Sequence, residues 1–153
     1  MLRLSKMTDY GTLVLAELAR SPNRRHSAAE VADQTGLAAP TVSKLLKNLA
    51  RQGLVTSVRG AQGGYALARV AREITAAEII DALEGPVAVT ECSDEHGECS
   101  LEPVCGVGKG WQKINEAIRG ALEGVTLDDL ARREVPLKWF PTRPARPGPR
   151  SSA

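Results

Sequence analysis

The chain has 153 residues, of which 42% are hydrophobic and 25% charged, a balance typical of a globular protein with one core. No run approaches the roughly 18 apolar residues that a membrane span needs, and residues 1–10 lack the apolar stretch of a secretory signal. We therefore expect a cytoplasmic protein that does not associate with membranes. Three cysteines in a reducing compartment argue against a disulfide framework.

Charge is distributed unevenly along the sequence. Residues 1–72 carry eleven Lys or Arg against four Asp or Glu, whereas residues 73–134 carry five against fourteen. A basic segment favours a polyanionic partner and an acidic segment does not, so DNA contacts are expected in the first half. No Ser-His-Asp, paired-carboxylate or phosphate-loop pattern stands out, so the sequence does not indicate an enzyme.

Capping residues predict two helices at the start of the chain. Thr8 is expected to cap a first helix that runs to about Arg20. Ser27 and Glu30 have the spacing of a capping box, and Gly36 supplies the end of a short second helix. His26, beside this second helix, is expected at the surface.

A third helix is predicted from Pro40, in its first turn, to Gly53, and it has two distinct faces. Its apolar residues recur at helical spacing and must face a core: Val42, Leu45, Leu46 and Leu49. The opposite face is predicted to carry Thr41, Lys44, Asn48 and Arg51, with Ser43 and Lys47 on its flank. A helix of this kind can rest on its own domain while it enters a major groove, although an ordinary solvated helix has the same pattern.

Two short strands are predicted after the third helix, over residues 54–59 and 65–68. The loop between them, residues 60–64, contains three glycines and permits a tight turn. Three helices followed by a hairpin predict a mainly α fold, a winged helix-turn-helix with a two-stranded wing, over residues 1–83.

The second half is predicted to hold accessory elements. A fourth helix over residues 74–83 is capped by Thr75, and residues 84–110 form a long loop that carries all three cysteines. From Trp111 the apolar residues step by three and four, which is typical of a coiled-coil seam in a long dimerisation helix: Trp111, Ile114, Ile118, Ala121 and Val125. Thr126 starts a short last helix, so that residues 111–134 form the dimerisation helices and residues 135–153 a disordered basic tail.

The cysteines Cys92, Cys99 and Cys105 have the spacing C-x6-C-x5-C. Thiolates select zinc, copper(I) or iron-sulfur clusters, and structural zinc sites usually contain cysteines two to four residues apart, which are lacking here. The spacing therefore favours an iron-sulfur cluster, with zinc and redox-active thiols as alternatives. Candidate fourth ligands in the loop are His96, Glu95, Glu98 and Glu102.

Several segments in this order carry a resemblance to a known family. They are LSKMTDY at residues 4–10, the wing RGAQGGY at residues 59–65, the cysteine loop, and WQKIN at residues 111–115 leading to VTLDD at residues 125–129. Over about residues 1–134 the chain resembles the Rrf2 family of bacterial winged-helix regulators. The closing segment is most similar to the branch that controls the SUF operon for iron-sulfur cluster assembly.

The resemblance implies a homodimer that binds a double-stranded DNA operator and carries a 2Fe-2S or 4Fe-4S cluster in each loop, with 2Fe-2S preferred. In one branch of the family the fourth ligand is a histidine three residues after the last cysteine, but that position here is Gly108. In the branch of nitric-oxide sensors, an aspartate near the N-terminus of the partner subunit completes the cluster. Asp9 occupies the matching position and ranks first as fourth ligand, with His96 second. Asp9 could equally serve only its helix, as an acid in the first turn.

These observations predict a DNA-binding regulator that is controlled by its cluster and acts on cluster-assembly genes. Lys44, Lys47 and Arg51 are assigned to phosphates, Thr41, Ser43 and Asn48 to base edges, and Arg59 and Gln62 to the neighbouring minor groove. The alternatives are a repressor that senses nitric oxide or redox state, a zinc-stabilised regulator, and a cluster-carrying redox protein. The last of these leaves the wing and the basic first half without a role.

Overall fold

Residues 4–90 and 106–132 are described by a computed structural model, which has a mainly helical fold with one two-stranded sheet. In chain order the elements are α1 (Lys6–Arg20), α2 (Ala28–Thr35), α3 (Ala39–Arg51), β1 (Val55–Val58), β2 (Gly64–Leu67), a 3₁₀ turn (Ala71–Glu73), α4 (Ala76–Glu84), α5 (Gly108–Glu123) and α6 (Leu127–Ala131). The predicted winged helix-turn-helix is confirmed. Of the predicted loop 84–110, Glu84 is the last residue of α4 and residues 108–110 begin α5. Its candidate ligands lie outside the described residues, as does the tail 135–153: Cys92, Glu95, His96, Glu98, Cys99, Glu102 and Cys105.

The start of α1 differs from the prediction. Ser5, not Thr8, is the N-cap, and its hydroxyl accepts hydrogen bonds from the backbone N–H groups of Met7 and Thr8. Thr8 lies inside the helix and is buried, and its hydroxyl donates to the carboxylate of Glu84 at the end of α4. The predicted caps at Ser27, Thr75 and Thr126 are confirmed, and each forms a capping box.

One hydrophobic core joins the first three helices to the wing, α4 and α6. The predicted stripe of α3 is confirmed, because all four of its apolar side chains are 0% exposed. They pack in one cluster with side chains from the other elements, which include Val14, Leu15, Leu18, Val31, Leu54, Val55, Ile74, Ile79 and Leu127. The burial of this stripe fixes the orientation of the polar outer face of α3.

The last helix completes this core. Leu127 of α6 is fully buried, and its N–H donates to the carbonyl of Ile74 at 2.8 Å. The N–H of Ala76 donates in turn to the carbonyl of Val125 at 2.8 Å. The sequence groups α6 with the dimerisation helix, but in the fold it packs against α1 and the 3₁₀ turn that precedes α4.

The long helix α5 lies outside the core. It starts at Gly108, three residues before the predicted start, and none of its residues is buried. Trp111 is 39% and Ile114 45% exposed. Among the described residues, α5 packs against α4. Arg119 of α5 forms a salt bridge with the carboxylate of Asp81 in α4 at 2.9 Å. No helix among the described residues is long and apolar enough to cross a membrane.

Candidate nucleic-acid interface

The outer face of α3 presents three cations to solvent. Lys44, Lys47 and Arg51 are exposed, and they lie opposite the buried stripe because successive residues are rotated by about 100° around a helix. Pro40 occupies the first turn, as predicted, and α3 begins without a side-chain cap. A solvent-facing row of this kind can contact DNA phosphates along one strand.

Two of the residues assigned to base edges lie further from this face than the sequence suggests. Thr41 and Asn48 are half-buried on the flank of α3 beside Leu45. The Asn48 side-chain amide donates to the backbone carbonyl of Ala82 in α4 at 3.4 Å, so it faces the protein. Ser43 is also half-buried, on the other flank. The exposed face is therefore formed by Lys44, Lys47 and Arg51 and does not include Asn48. Base reading by Thr41, Ser43 and Asn48 stays a prediction.

The wing is a tight antiparallel hairpin whose tip is exposed. Val55 pairs with Leu67 at its base and Val58 with Gly64 at its top. A Cβ on Gly63 would lie 2.3 Å from the carbonyl oxygen of Val58 and 2.8 Å from that of Gly60, so only glycine fits there. Arg59 and Gln62, which the sequence assigns to the minor groove, are both exposed at this tip.

A groove of about 580 Å³ separates α3 from the wing. Lys47 of α3 and Arg59 of the wing both line it, together with the hydroxyl-bearing Ser27 and Ser57. Two cations and two hydroxyls around one opening suit a phosphodiester, since charged and hydroxyl donors make most contacts to nucleic-acid backbones. The two serines were missed by the sequence analysis, although the position of Ser27 at the start of α2 is one where anions commonly bind.

The wing is attached to the helical core through His26. This residue was expected at the surface, but it is 1% exposed. Its backbone N–H donates to the Tyr65 carbonyl, and the Tyr65 N–H donates to the His26 carbonyl, both at 2.8 Å. Since these backbone bonds pair His26 with strand β2, it anchors the wing to the helical core.

The candidate fourth cluster ligand, Asp9, is exposed in the first turn of α1. It lines a groove of about 740 Å³ whose other walls are largely apolar, formed by the start of α1, by α4, by the end of α5 and by α6. The apolar lining residues are Leu4, Ala76, Ile79, Ile80, Leu122, Val125 and Leu130. Within residues 4–90 and 106–132, no three His, Cys, Asp or Glu side chains are grouped to hold a metal ion.

Comparisons with known proteins agree with this geometry. The model of the Rrf2 family, described as an iron-dependent transcriptional regulator, matches residues 4–133. The chain belongs to the Rrf2 family. Its mainly helical fold with a two-stranded sheet matches the winged helix of Rrf2 transcription regulators.

Individual proteins and solved structures are similar to this chain over most of their length. The protein aau3 of Rhizobium meliloti strain 1021 is 35% identical over 150 residues, which cover 95% of this chain and 97% of that protein. The structure of CymR, the global cysteine regulator of B. subtilis, has a TM-score of 0.66 at 32% identity and covers 86% of this chain and 97% of CymR. The structure of T. potens IscR has a TM-score of 0.61 at 33% identity, with coverage of 84% and 85%.

Proposed function

We propose that this Rrf2 protein is a homodimeric transcription regulator that binds double-stranded DNA through α3 and the wing, under the control of an iron-sulfur cluster. The observation that carries the DNA-binding part is the single groove that Lys47 and Arg59 line from two different elements. Phosphates supply most of the affinity in such interfaces, and side chains that enter the grooves supply specificity.

The homodimer is supported by the surface of α5. Trp111 and Ile114 are spaced by three residues and are both substantially exposed, at 39% and 45%. Large apolar side chains clustered on one exposed helix mark an interaction surface. The steps of three and four residues along α5 suit a second copy of the same helix, since these steps are the spacing of a two-stranded seam.

The cluster is supported by the chemistry of the available donors. Cys92, Cys99 and Cys105 would supply three thiolates, the ligands that iron-sulfur clusters prefer. Asp9 would supply a carboxylate from the partner subunit, since its side chain is exposed in the first turn of α1. A bound cluster would make the regulator sensitive to the cell's supply of clusters, to oxygen or to nitric oxide. The protein's own part would be to hold it and to bind DNA differently once it is lost.

The target genes we propose are those of iron-sulfur cluster assembly. A second candidate is a regulator that responds to cysteine or to thiol oxidation without a cluster. The observation that favours it is the similarity to CymR, which is named as a cysteine regulator. The two candidates differ in whether the protein contains iron and acid-labile sulfide.

The test begins with anaerobic purification, followed by iron and sulfide analysis, absorption spectra and native mass spectrometry. We expect a coloured protein with stoichiometric iron and sulfide, and loss of the cluster from Cys92→Ala, Cys99→Ala and Cys105→Ala while the dimer stays folded. Operator DNA selected from randomised duplexes should then bind with different affinity to the loaded and cluster-free protein. A colourless wild type without sulfide would exclude the cluster and favour the second candidate.

The fourth ligand is tested with a matched pair of variants. If Asp9 ligates the partner's cluster, Asp9→Ala retains a cluster on three cysteines, with altered absorption and faster loss to oxygen, because the carboxylate is the weakest ligand. His96→Ala is the control and should have the wild-type spectrum. The reverse pattern, a changed spectrum only in His96→Ala, would place the fourth ligand inside the loop.

A further inference from the structure

The last turn of α4 contacts three other helices through four successive residues, Asp81 to Glu84, which we name the α4 junction. Asp81 accepts both arms of Arg119 from α5, at 2.9 and 3.4 Å. The carbonyl of Ala82 accepts from Asn48 of α3 at 3.4 Å. Leu83 and Glu84 both contact α1, the former beside Gly11 and the latter at the helix start. The junction ends where the cysteine loop begins.

Glu84 fixes the first turn of α1. One of its carboxylate oxygens accepts from the backbone N–H of Ser5 at 2.7 Å and also from the Thr8 hydroxyl. The bond from Thr8, followed by that from Ser5, lowers the pKa of Glu84, so the carboxylate is ionised at neutral pH. Asp9 directly follows Thr8, so the turn that Glu84 holds is the turn that presents Asp9.

Leu83 forms an apolar contact between the end of α4 and α1 at Gly11. A Cβ on Gly11 would lie 2.4 Å from one terminal methyl carbon of Leu83 and 3.3 Å from the other. The side chain of Leu83 therefore occupies the space that any residue larger than glycine would need at position 11. A displacement of the end of α4 therefore acts on α1 through this packed contact.

The α4 junction also contacts α3, the helix that we propose to bind DNA. Asn48 directly follows Lys47, one of the cations of the exposed face, and its side-chain amide donates to the backbone of α4. Since Leu49, the next residue, is 0% exposed, the bond to Ala82 is formed at the edge of the packed core. A shift of the α4 junction thus acts directly on the helix that faces DNA.

We propose that the α4 junction is the relay between the cysteine loop and the DNA-reading unit, with Glu84 as the positioning residue that holds the Asp9-bearing turn of α1. This inference rests on the proposed function, because a relay needs a signal in the loop. It assigns Asn48 to the relay instead of to base reading. Within one subunit, the α4 junction also connects the start of the cysteine loop to Asp9, the proposed ligand of the partner's cluster.

The relay is measured as the ratio of operator Kd values between cluster-free and cluster-loaded dimer. Coupling between two sites is typically about 5- to 150-fold, and we expect Glu84→Ala to reduce the ratio to below about threefold. Affinity of the cluster-free protein should stay within about threefold of wild type, since no DNA-facing residue changes. Glu84→Gln keeps an oxygen acceptor for Ser5 and Thr8 and should retain most of the ratio.

The matched control is Asp129→Ala, which removes an acceptor in the same way as Glu84→Ala. Asp129 accepts from the N–H and the hydroxyl of Thr126 at the start of α6, the same two kinds of donor that Glu84 uses, but it does not adjoin the cysteine loop. We expect this variant to keep the wild-type ratio. An equal loss of coupling in Asp129→Ala and Glu84→Ala would overturn the relay and indicate general loosening of the fold.

A second measurement does not depend on the cluster. In cluster-free dimer, amide hydrogen exchange should become faster in the first turn of α1 and near Asn48 in Glu84→Ala, while α2 keeps its protection. Unchanged exchange in both segments would overturn the relay. A wild-type Kd ratio of one would reject the proposed function and the relay with it, whereas a large ratio that Glu84→Ala preserves would reject the relay alone.

The two assignments of Asn48 are separated by Asn48→Ala. As a relay contact, its loss lowers the Kd ratio and leaves the base preference of the selected operator unchanged. If the variant instead relaxes the preference at one base step and keeps the full ratio, Asn48 reads DNA and is not part of the relay.

Discussion

Lys47 provides the sharpest test of the DNA-binding face, because it is exposed on α3 and also lines the groove beside the wing. A homodimer presents it twice, so Lys47→Ala removes two phosphate contacts from each complex. Each contact contributes about 0.9 to the slope of log K against log salt, so the slope should become shallower by about 1.8. Between 50 and 200 mM salt, the ratio of the wild-type affinity for DNA to that of Lys47→Ala should then fall by about 12-fold.

The measurement is a salt titration of fluorescence anisotropy on selected operator and on random duplex. Lys47→Ala should weaken binding to both DNAs almost equally, because phosphates carry no sequence information. Lys113→Ala is the control, since it removes the same charge from an exposed position on α5. A wild-type slope in Lys47→Ala, or an equal change in Lys113→Ala, would show that Lys47 does not contact a phosphate.

Three further predictions concern folding, pH and assembly. Leu45→Ala, at a fully buried position of α3, should lower the free energy of unfolding by about 2–5 kcal/mol in urea titrations. The hydrogen bond from the Ser27 N–H, followed by the one from Arg24, lowers the pKa of Glu30 to about 2 from its ordinary value of 4.5. The ionised carboxylate therefore stabilises the fold fully above pH 4.5. This contribution is lost as the pH falls from 4.5 through about 2. The difference in Tm between wild type and Glu30→Gln should shrink over that range, and a constant difference would contradict it. Ile114→Lys should shift light-scattering mass from dimer towards monomer, because it places a charge on the exposed seam of α5; a mass unchanged at low concentration would argue against that seam.

Features that depend on local sequence were predictable. The capping boxes at Ser27 and Thr75 are formed by residues three apart, so their bonds follow from the helix itself. The stripe of α3 likewise follows from helical spacing, because a side chain every third or fourth residue returns to the same face. These two signals, together with the glycines of the wing, were enough to predict a winged helix-turn-helix.

Features that depend on distant partners were not predictable. Ser5 and Thr8 are both acceptable caps, and the choice is made by Glu84, whose hydrogen bonds bridge 79 and 76 positions of the sequence. Asn48 looked solvent-exposed because its flank of α3 is polar, but α4 covers that flank. His26 stands in a polar turn and is buried only because strand β2 pairs with it. In each case the deciding neighbour lies outside the local sequence.

The packing of α3 limits how a signal can reach DNA. Exposing one of its four fully buried apolar side chains would cost roughly 1.5–3 kcal/mol, so turning the helix within its core would cost on the order of 6–12 kcal/mol. Coupling between sites is commonly about 1–3 kcal/mol, too little to drive such a rotation. The signal must therefore move the reading unit as a body. The α4 junction is placed for this, since Arg119 ties it to α5, the proposed dimer helix, while Glu84 ties it to α1. We accordingly expect cluster loss to change the distance between the two reading units, and hence the preferred spacing of operator half-sites, rather than the bases read within each half-site.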